Sequence, residues 1–402
     1  MSQRCIFWLS FQMTSYPHIT SNPATPSNFF FIQDTKTLNA HMRPLLQKPP
    51  AFIALDTEFM RQTTYWPQPC LLQMATEKAF YIVDLQASPL NFATLKELLV
   101  NPTSTKVLHA AEQDLELLSR LFKKELSPVF DTQVATMLLA PSYMPSYKEA
   151  VLLFCNKELS KAYQRFDWRK RPLPDKVLNY ALDDVRYLVS LYQICIQKLR
   201  SQKRLAWMHE EMARMALTKE PLLWKKVVGW KKVVRTPQDM TALQKLALWR
   251  EEAAQKADLP RQHVLSNEVI LRVLKQLKSS SVDVSKIERA LKGLQLKDLQ
   301  KKCQTLCAIS TWPESRCDPL PAARPLEAPD KERSVQLKQY FEKVAAKEGL
   351  PCSFLVVQKE IEALVRGKTP KRFQKGWRQA FLPKNVATKD KSALTSQQAL
   401  CR

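Results

Sequence analysis

The sequence predicts an α/β domain built on a mixed sheet, followed by all-α helical modules. Three observations carry that expectation. Apolar runs of β character (FFFI, FIALDTEF, CLLQMAT and FYIVDL) crowd into the first stretch after residue 28. The pattern then changes to strands alternating with helices, and strands paired first directly and then through helices form a sheet of mixed direction. Beyond Pro141 the apolar spacing is helical.

FFFI opens the first strand, and Asp34 or Thr35 can cap the helix that runs toward Leu46. After the three β-like runs comes a helix around residues 92–99, the short strand KVLHA, and the amphipathic helix EQDLELLSRLF. A long helix spans residues 174–199. The next segment is basic and carries WKKVV twice, at 224–228 and 230–234. ALQKLALWREEAAQKADL, NEVILRVLKQL and KIERALKGL then form a small helical module, the Pro-rich CDPLPAARPLEAPD reads as a linker, and a shorter helical unit follows. The expected division is a flexible N-terminal extension (1–28), the α/β domain (29–200), a basic connecting segment (201–236), a helical domain (237–310), a Pro-rich linker (311–332), a second helical domain (333–384) and a disordered tail (385–402).

Composition narrows the function classes. With 5 Gly against 26 Pro in 402 residues, and neither a GxGxxG nor a Walker-type loop, nucleotide cofactors have no support. The net charge of +24 is uneven: residues 1–200 contribute +5 and residues 201–402 contribute +19. Such an excess attracts polyanions. Nine cysteines without a CxxC pair argue against a zinc site or a disulfide framework and fit reduced thiols in a cytoplasm. The opening MSQRCIFWLSFQM is too broken by Ser and Gln for a signal peptide, and no stretch reaches the ~20 apolar residues of a membrane span.

Three motifs carry chemistry. In Leu55-Asp56-Thr57-Glu58-Phe59, at the end of an apolar strand, Asp56 and Glu58 are two apart and face one side, as hard-metal ligands require. A strand end turning polar toward solvent gives the same pattern. In His109-Ala110-Ala111-Glu112-Gln113-Asp114, Asp114 stands in the first turn of a helix, where the dipole alone favours an acid. His109 reads as a packing or orienting residue rather than a base. In Asn179-Tyr180-Ala181-Leu182-Asp183-Asp184, Tyr180 and Asp184 share a helix face, and Asp183 points roughly 100° away.

Taken together, strand Asp-x-Glu, then Asp, then Tyr-x3-Asp resembles the DEDD exonuclease superfamily in its tyrosine-bearing subclass. Asn179 stands where the other subclass carries histidine. ALDTEFMRQTTYWPQPCLLQ, KVLHAAEQDLELL, FDTQVATMLL, FDWRKRPLP and NYALDDVRYL look like the blocks of the ribonuclease D family, in its order and spacing. The likeness spans residues 29–199. Residues 241–308, and more weakly 333–383, look like the helical HRDC domains that follow the nuclease in that family.

The resemblance implies a ribonuclease H-like fold and a 3′→5′ exoribonuclease acting on tRNA precursors and other small structured RNAs. It implies Asp56, Glu58, Asp114 and Asp184 as ligands of two divalent ions, Mg²⁺ or Mn²⁺, with Tyr180 orienting the attacking water. Phe59, Tyr65 and Trp66 are candidates for base stacking, and Arg61, Arg169, Lys170, Arg171 and His109 for other RNA contacts. The WKKVV pair reads as a packing helix, with an RNA-facing helix as the alternative. A monomer in the cytoplasm, bound to RNA and to no membrane, completes the expectation. The competing readings are a DNA 3′→5′ exonuclease, which the same acids would serve, and a catalytically silent RNA-binding scaffold, which would lack one of them.

Overall fold

A computed structural model of the chain describes residues 28–160, 162–216, 222–276 and 326–383. Residues 1–27 of the N-terminal extension, the helix expected at KIERALKGL, residues 311–325 of the Pro-rich linker and the tail lie outside these residues.

Six strands form one sheet: β1 (Phe29–Ile32), β2 (Phe52–Met60), β3 (Gln68–Ala75), β4 (Phe80–Asp84), β5 (Thr105–Leu108) and β6 (Val129–Asp131), in the order β1-β4-β3-β2-β5-β6. β3 runs antiparallel to β2 and β4, and the other pairs are parallel. The alternation of side chains along β2 to β4 feeds two apolar layers. Ile53, Leu55, Leu72, Met74, Tyr81 and Val83 pack with α1 (Thr35–Gln47), α2 (Ala93–Val100) and α3 (Glu112–Phe122). Phe52, Ala54, Ala75, Phe80 and Ile82 pack with α4 (Thr132–Leu139), α5 (Tyr147–Cys155) and the long α6 (Asp175–Ser201). Asp34 caps α1 by accepting the Thr37 N–H at 2.8 Å.

The segment expected as a basic connector behaves differently. Its first half contains α7 (Leu205–Ala216), which packs on α4 and α6 and buries Met208 in the nuclease-side core. Its WKKVV repeats form no α-helix; they fold as 3₁₀ turns at Leu223–Lys226 and Trp230–Lys232. Trp224, Val227, Val233 and Val234 bury themselves with Met240, Leu243, Leu246, Ile270 and Val273. The repeats are therefore the floor of the helical module, whose helices among the described residues are α8 (Pro237–Ala257), α9 (Arg261–Val264) and α10 (Asn267–Gln276). A capping box between Thr236 and Asp239 starts α8.

The second helical unit begins inside the segment expected as linker, with α11 (Ala328–Glu348), then α12 (Cys352–Leu355), α13 (Gln358–Val365) and α14 (Lys371–Gln374). It shares its core with α6 and α7. Trp377 stacks on Trp207 with centroids 4.7 Å apart, and the fully buried Arg378 pairs with Glu211.

Candidate active site

β2 ends at the sheet surface beneath α6, so its last inward-facing side chains meet that helix. Carboxylate oxygens of Asp56, Glu58 and Asp184 all lie within 4.8 Å of one another. Asp114 stands outside that tight triplet. It sits in the first turn of α3, 8 % exposed, and accepts a hydrogen bond from the Thr57 hydroxyl. Thr57 faces away from its neighbours Asp56 and Glu58 on β2, so the strand ties Asp114 in place from its other side. Asp183 turns off the cluster to pair with Arg186.

The electrostatics are those of buried acids crowded together. Burial raises Glu58 to about 9, with the charges of Asp184 and Asp114 adding to it. Burial raises Asp184 to about 7, aided by Asp183. Burial lifts Asp114 to about 6, against the Thr57 hydrogen bond that lowers it. Asp56 is pushed well above the usual carboxylate range by burial and then by Asp114, Asp184 and Glu58. The donor set is hard oxygen throughout, and among the described residues no cation offsets Asp56, Glu58 and Asp184, so the residues fit divalent cations. Gln73 adds to this picture. It lies opposite Asp56 on β3, fully buried, and neither side-chain amide atom has a hydrogen-bond partner among the described residues.

Tyr180 precedes Asp184 by one turn of α6. Its ring stacks on Trp168 (6.3 Å, 29°) and meets Tyr163 edge-on (5.8 Å, 70°). Burial, then the charges of Asp184, Glu58 and Asp56, raises its phenol far above the ordinary value, so it keeps its proton. Tyr147 lies behind the site, donating its hydroxyl to the Asp183 carbonyl at 3.1 Å. Sequence alone assigns no role to Thr57, Gln73, Tyr147, Tyr163 or Trp168. The family-like blocks that contain Thr57, Gln73 and Trp168 are the one signal that could have found them.

Most residues expected to touch RNA are engaged within the protein. Tyr65 is 6 % exposed, and its hydroxyl donates to Glu251 of α8. Trp66 lies under Arg120, 3.5 Å from guanidinium to ring centroid. Arg61 pairs with Glu116 of α3 at 2.8 Å. His109 makes contacts of 2.9 Å through both ring nitrogens, to Thr132 Oγ1 and the Pro145 carbonyl, and burial lowers its pKa. Arg171 holds the buried Asp84 with two hydrogen bonds, and Arg169 pairs with Asp167. Each of these side chains has a protein partner in the structure, and for His109 the two contacts suit the packing or orienting role. Phe59 remains half-buried just past a bulge in β2, and Lys170 remains exposed.

A family model described as 3′-5′ exonuclease matches residues 29–200, and one described as HRDC domain matches residues 239–301. Ribonuclease D of Bartonella henselae is 32% identical over 339 residues, covering 81% of this chain and 82% of that protein. Ribonuclease D of Xanthomonas oryzae is 32% identical over 347 residues, covering 84% and 92%. Among solved structures, Escherichia coli RNase D, described as an exoribonuclease involved in structured RNA processing, superposes with a TM-score of 0.73 at 23% identity, covering 89% of this chain and 97% of that one. The catalytic core of RRP6 from Trypanosoma brucei gives 0.53 at 25% identity, covering 72% and 80%. With a shared sheet, shared motif blocks and this extent of likeness, the chain belongs to the ribonuclease D family of 3′→5′ exoribonucleases.

Proposed function

We propose that this chain hydrolyses RNA from its 3′ end to nucleoside 5′-monophosphates, with tRNA precursors and other small structured RNAs as its substrates. The observation that carries the reading is the gathering of Asp56, Glu58 and Asp184 within 4.8 Å, from a strand and a helix far apart in sequence. Together with Asp114 these residues would hold two divalent ions, Mg²⁺ or Mn²⁺. Bound there, such ions supply Lewis acidity for a water nucleophile and charge stabilisation for the departing 3′-oxygen.

The chain's own groups do the positioning. Tyr180 keeps its proton and so acts by hydrogen bonding, orienting the attacking water rather than deprotonating it. The rings of Trp168 and Tyr163 hold the phenol in place. Thr57 fixes Asp114. Phe59 and Lys170 are the remaining candidates for base and phosphate contact, and the positive charge concentrated in residues 201–402 draws the polyanion in. The protein works as a monomer in the cytoplasm, a setting that suits the free thiols of Cys70, Cys155, Cys195 and Cys352.

The deciding experiment is digestion of 5′-labelled RNA with a 3′-hydroxyl, comparing a tRNA precursor, single-stranded RNA and single-stranded DNA. Stepwise shortening from the 3′ end, dependent on Mg²⁺ or Mn²⁺ and fastest on RNA, is the expected result. Undiminished activity in EDTA would overturn the reading. Faster digestion of DNA would move the substrate class.

A further inference from the structure

β2 leaves the catalytic cluster after Glu58 and returns as β3 through residues 61–67, and this connection is held from two sides. Toward α8 and α9, the Tyr65 hydroxyl donates to Glu251 and accepts from Gln255 Nε2 at 3.0 Å and from Arg261 Nη2 at 3.1 Å. A phenol has one proton and two lone pairs, so this hydroxyl is saturated. The Arg261 guanidinium also pairs with Glu251 and lies 4.8 Å from the Tyr65 ring centroid. The next residue repeats the pattern: the Trp66 backbone N–H donates to Asp258 at 3.0 Å and its indole N–H to the Gln255 carbonyl at 3.3 Å.

Toward α3, Arg61 donates to both carboxylate oxygens of Glu116, at 2.8 and 3.0 Å, and through Nε to the Tyr65 carbonyl at 2.9 Å. Arg120, one turn beyond Glu116, covers the Trp66 ring. The connection therefore bridges three bodies: the strand bearing Asp56 and Glu58, the helix bearing Asp114, and the helical module of residues 222–276.

We propose that this module is a positioning element of the active site, using Tyr65 and Trp66 to fix residues 61–67 and thereby the spacing between β2 and α3. The inference rests on the nuclease reading above and adds to it a role in turnover. A module that only captures RNA raises affinity for long substrates. A module that holds the carboxylate-bearing elements also sets kcat for substrates too short to reach it. Charge-assisted hydrogen bonds and a saturated phenol suit the second task, because they specify geometry and not only proximity.

The test uses the full chain with Tyr65→Phe, which keeps the ring and loses the hydroxyl, and with Glu251→Gln, which still accepts from Tyr65 but no longer balances Arg261. Amide hydrogen exchange in residues 61–67 should quicken by about tenfold in Tyr65→Phe, the factor that one charge-assisted hydrogen bond carries in a local opening equilibrium. The kcat on a trinucleotide and on a long RNA should fall together, with KM for the long RNA unchanged, and Glu251→Gln should fall between Tyr65→Phe and wild type. The proposal is overturned if exchange and kcat stay at wild-type values, or if only KM for the long RNA rises. Should the wild-type chain cleave no RNA at all, the nuclease reading fails, and the exchange rates alone still decide whether the clamp holds the connection. Melting curves identify a variant that has lost its fold, and the other variant then carries the comparison.

Discussion

Replacing Asp184 by asparagine separates what this carboxylate does to the fold from what it does for the chemistry. Burial, with Asp183 adding to it, lifts Asp184 from 3.8 to about 7. Between those values the folded chain binds a proton that the unfolded chain has released. Its contribution to stability is therefore greatest on the acid side and is lost as pH rises through the window. At pH 8 the difference corresponds to about 4 kcal/mol. Solvent screening of a half-buried group reduces it to about 2 kcal/mol. An amide of the same shape carries no charge to desolvate. In EDTA at pH 8, Asp184→Asn should melt about 4–8 °C above wild type, and the gap should close toward pH 4. Saturating Mg²⁺ should reverse the order, because an ion that binds only the folded wild type stabilises it by mass action. Turnover should meanwhile fall on the order of 10³-fold, since an ion contributes several kcal/mol of charge stabilisation. Calorimetry with and without EDTA, beside single-turnover kinetics, reads both effects. A variant that melts below wild type in EDTA at pH 8 would show that Asp184 supports the fold, and the reasoning would be wrong.

Three further outcomes follow from the same geometry. Tyr180→Phe should lower kcat by about 10²-fold, as loss of one oriented hydrogen bond to the reacting water would, while Mn²⁺ affinity stays unchanged; a parallel loss of Mn²⁺ binding would make the phenol a structural support of the cluster instead. Apparent Mn²⁺ affinity should rise with pH through the range marked by Asp114 (about 6), Asp184 (about 7) and Glu58 (about 9), because the acids must shed protons to bind the ion. Titration calorimetry showing no dependence between pH 6 and 9 contradicts those shifts. Arg171→Leu strands the buried Asp84, whose carboxyl burial would raise but whose bonds to Arg171, Gln33 and Gln86 hold it low. The loss should be about 3 kcal/mol of stability, largest at neutral pH and shrinking as acid protonates Asp84; an unchanged urea midpoint argues against it.

The sheet and the acid-bearing elements were legible because period and chemistry agree there. β2 is an apolar run that ends in Asp-x-Glu, and strand geometry puts both acids on one face. Tyr180 and Asp184 break an otherwise apolar helix face at one-turn spacing, and that interruption marks them in the sequence alone. The aromatic pair Tyr65-Trp66 was not legible. A ring following a catalytic strand looks the same whether it stacks on a base or on a helix nearly two hundred residues away. Arg171 and Lys170 are adjacent, yet one is bound to Asp84 and the other is exposed, and only the fold that brings β4 beside that loop distinguishes them. The WKKVV repeats carry an amphipathic signature, but Gly229, with φ at +86°, turns the chain between them and prevents a continuous helix.

The docking of Trp377 and Arg378 onto α7 changes what counts as the nuclease. Residues 29–216 and 328–383 share one buried interior, with the module of residues 222–276 inserted between them along the chain. A cut at residue 200, the boundary that motif blocks suggest, would strip Met208, Leu337, Phe341 and Trp377 from that interior and leave its apolar wall facing water. The apolar interior behind the catalytic face is therefore assembled from segments discontinuous in sequence, and deleting residues 328–383 would cost the burial those segments share.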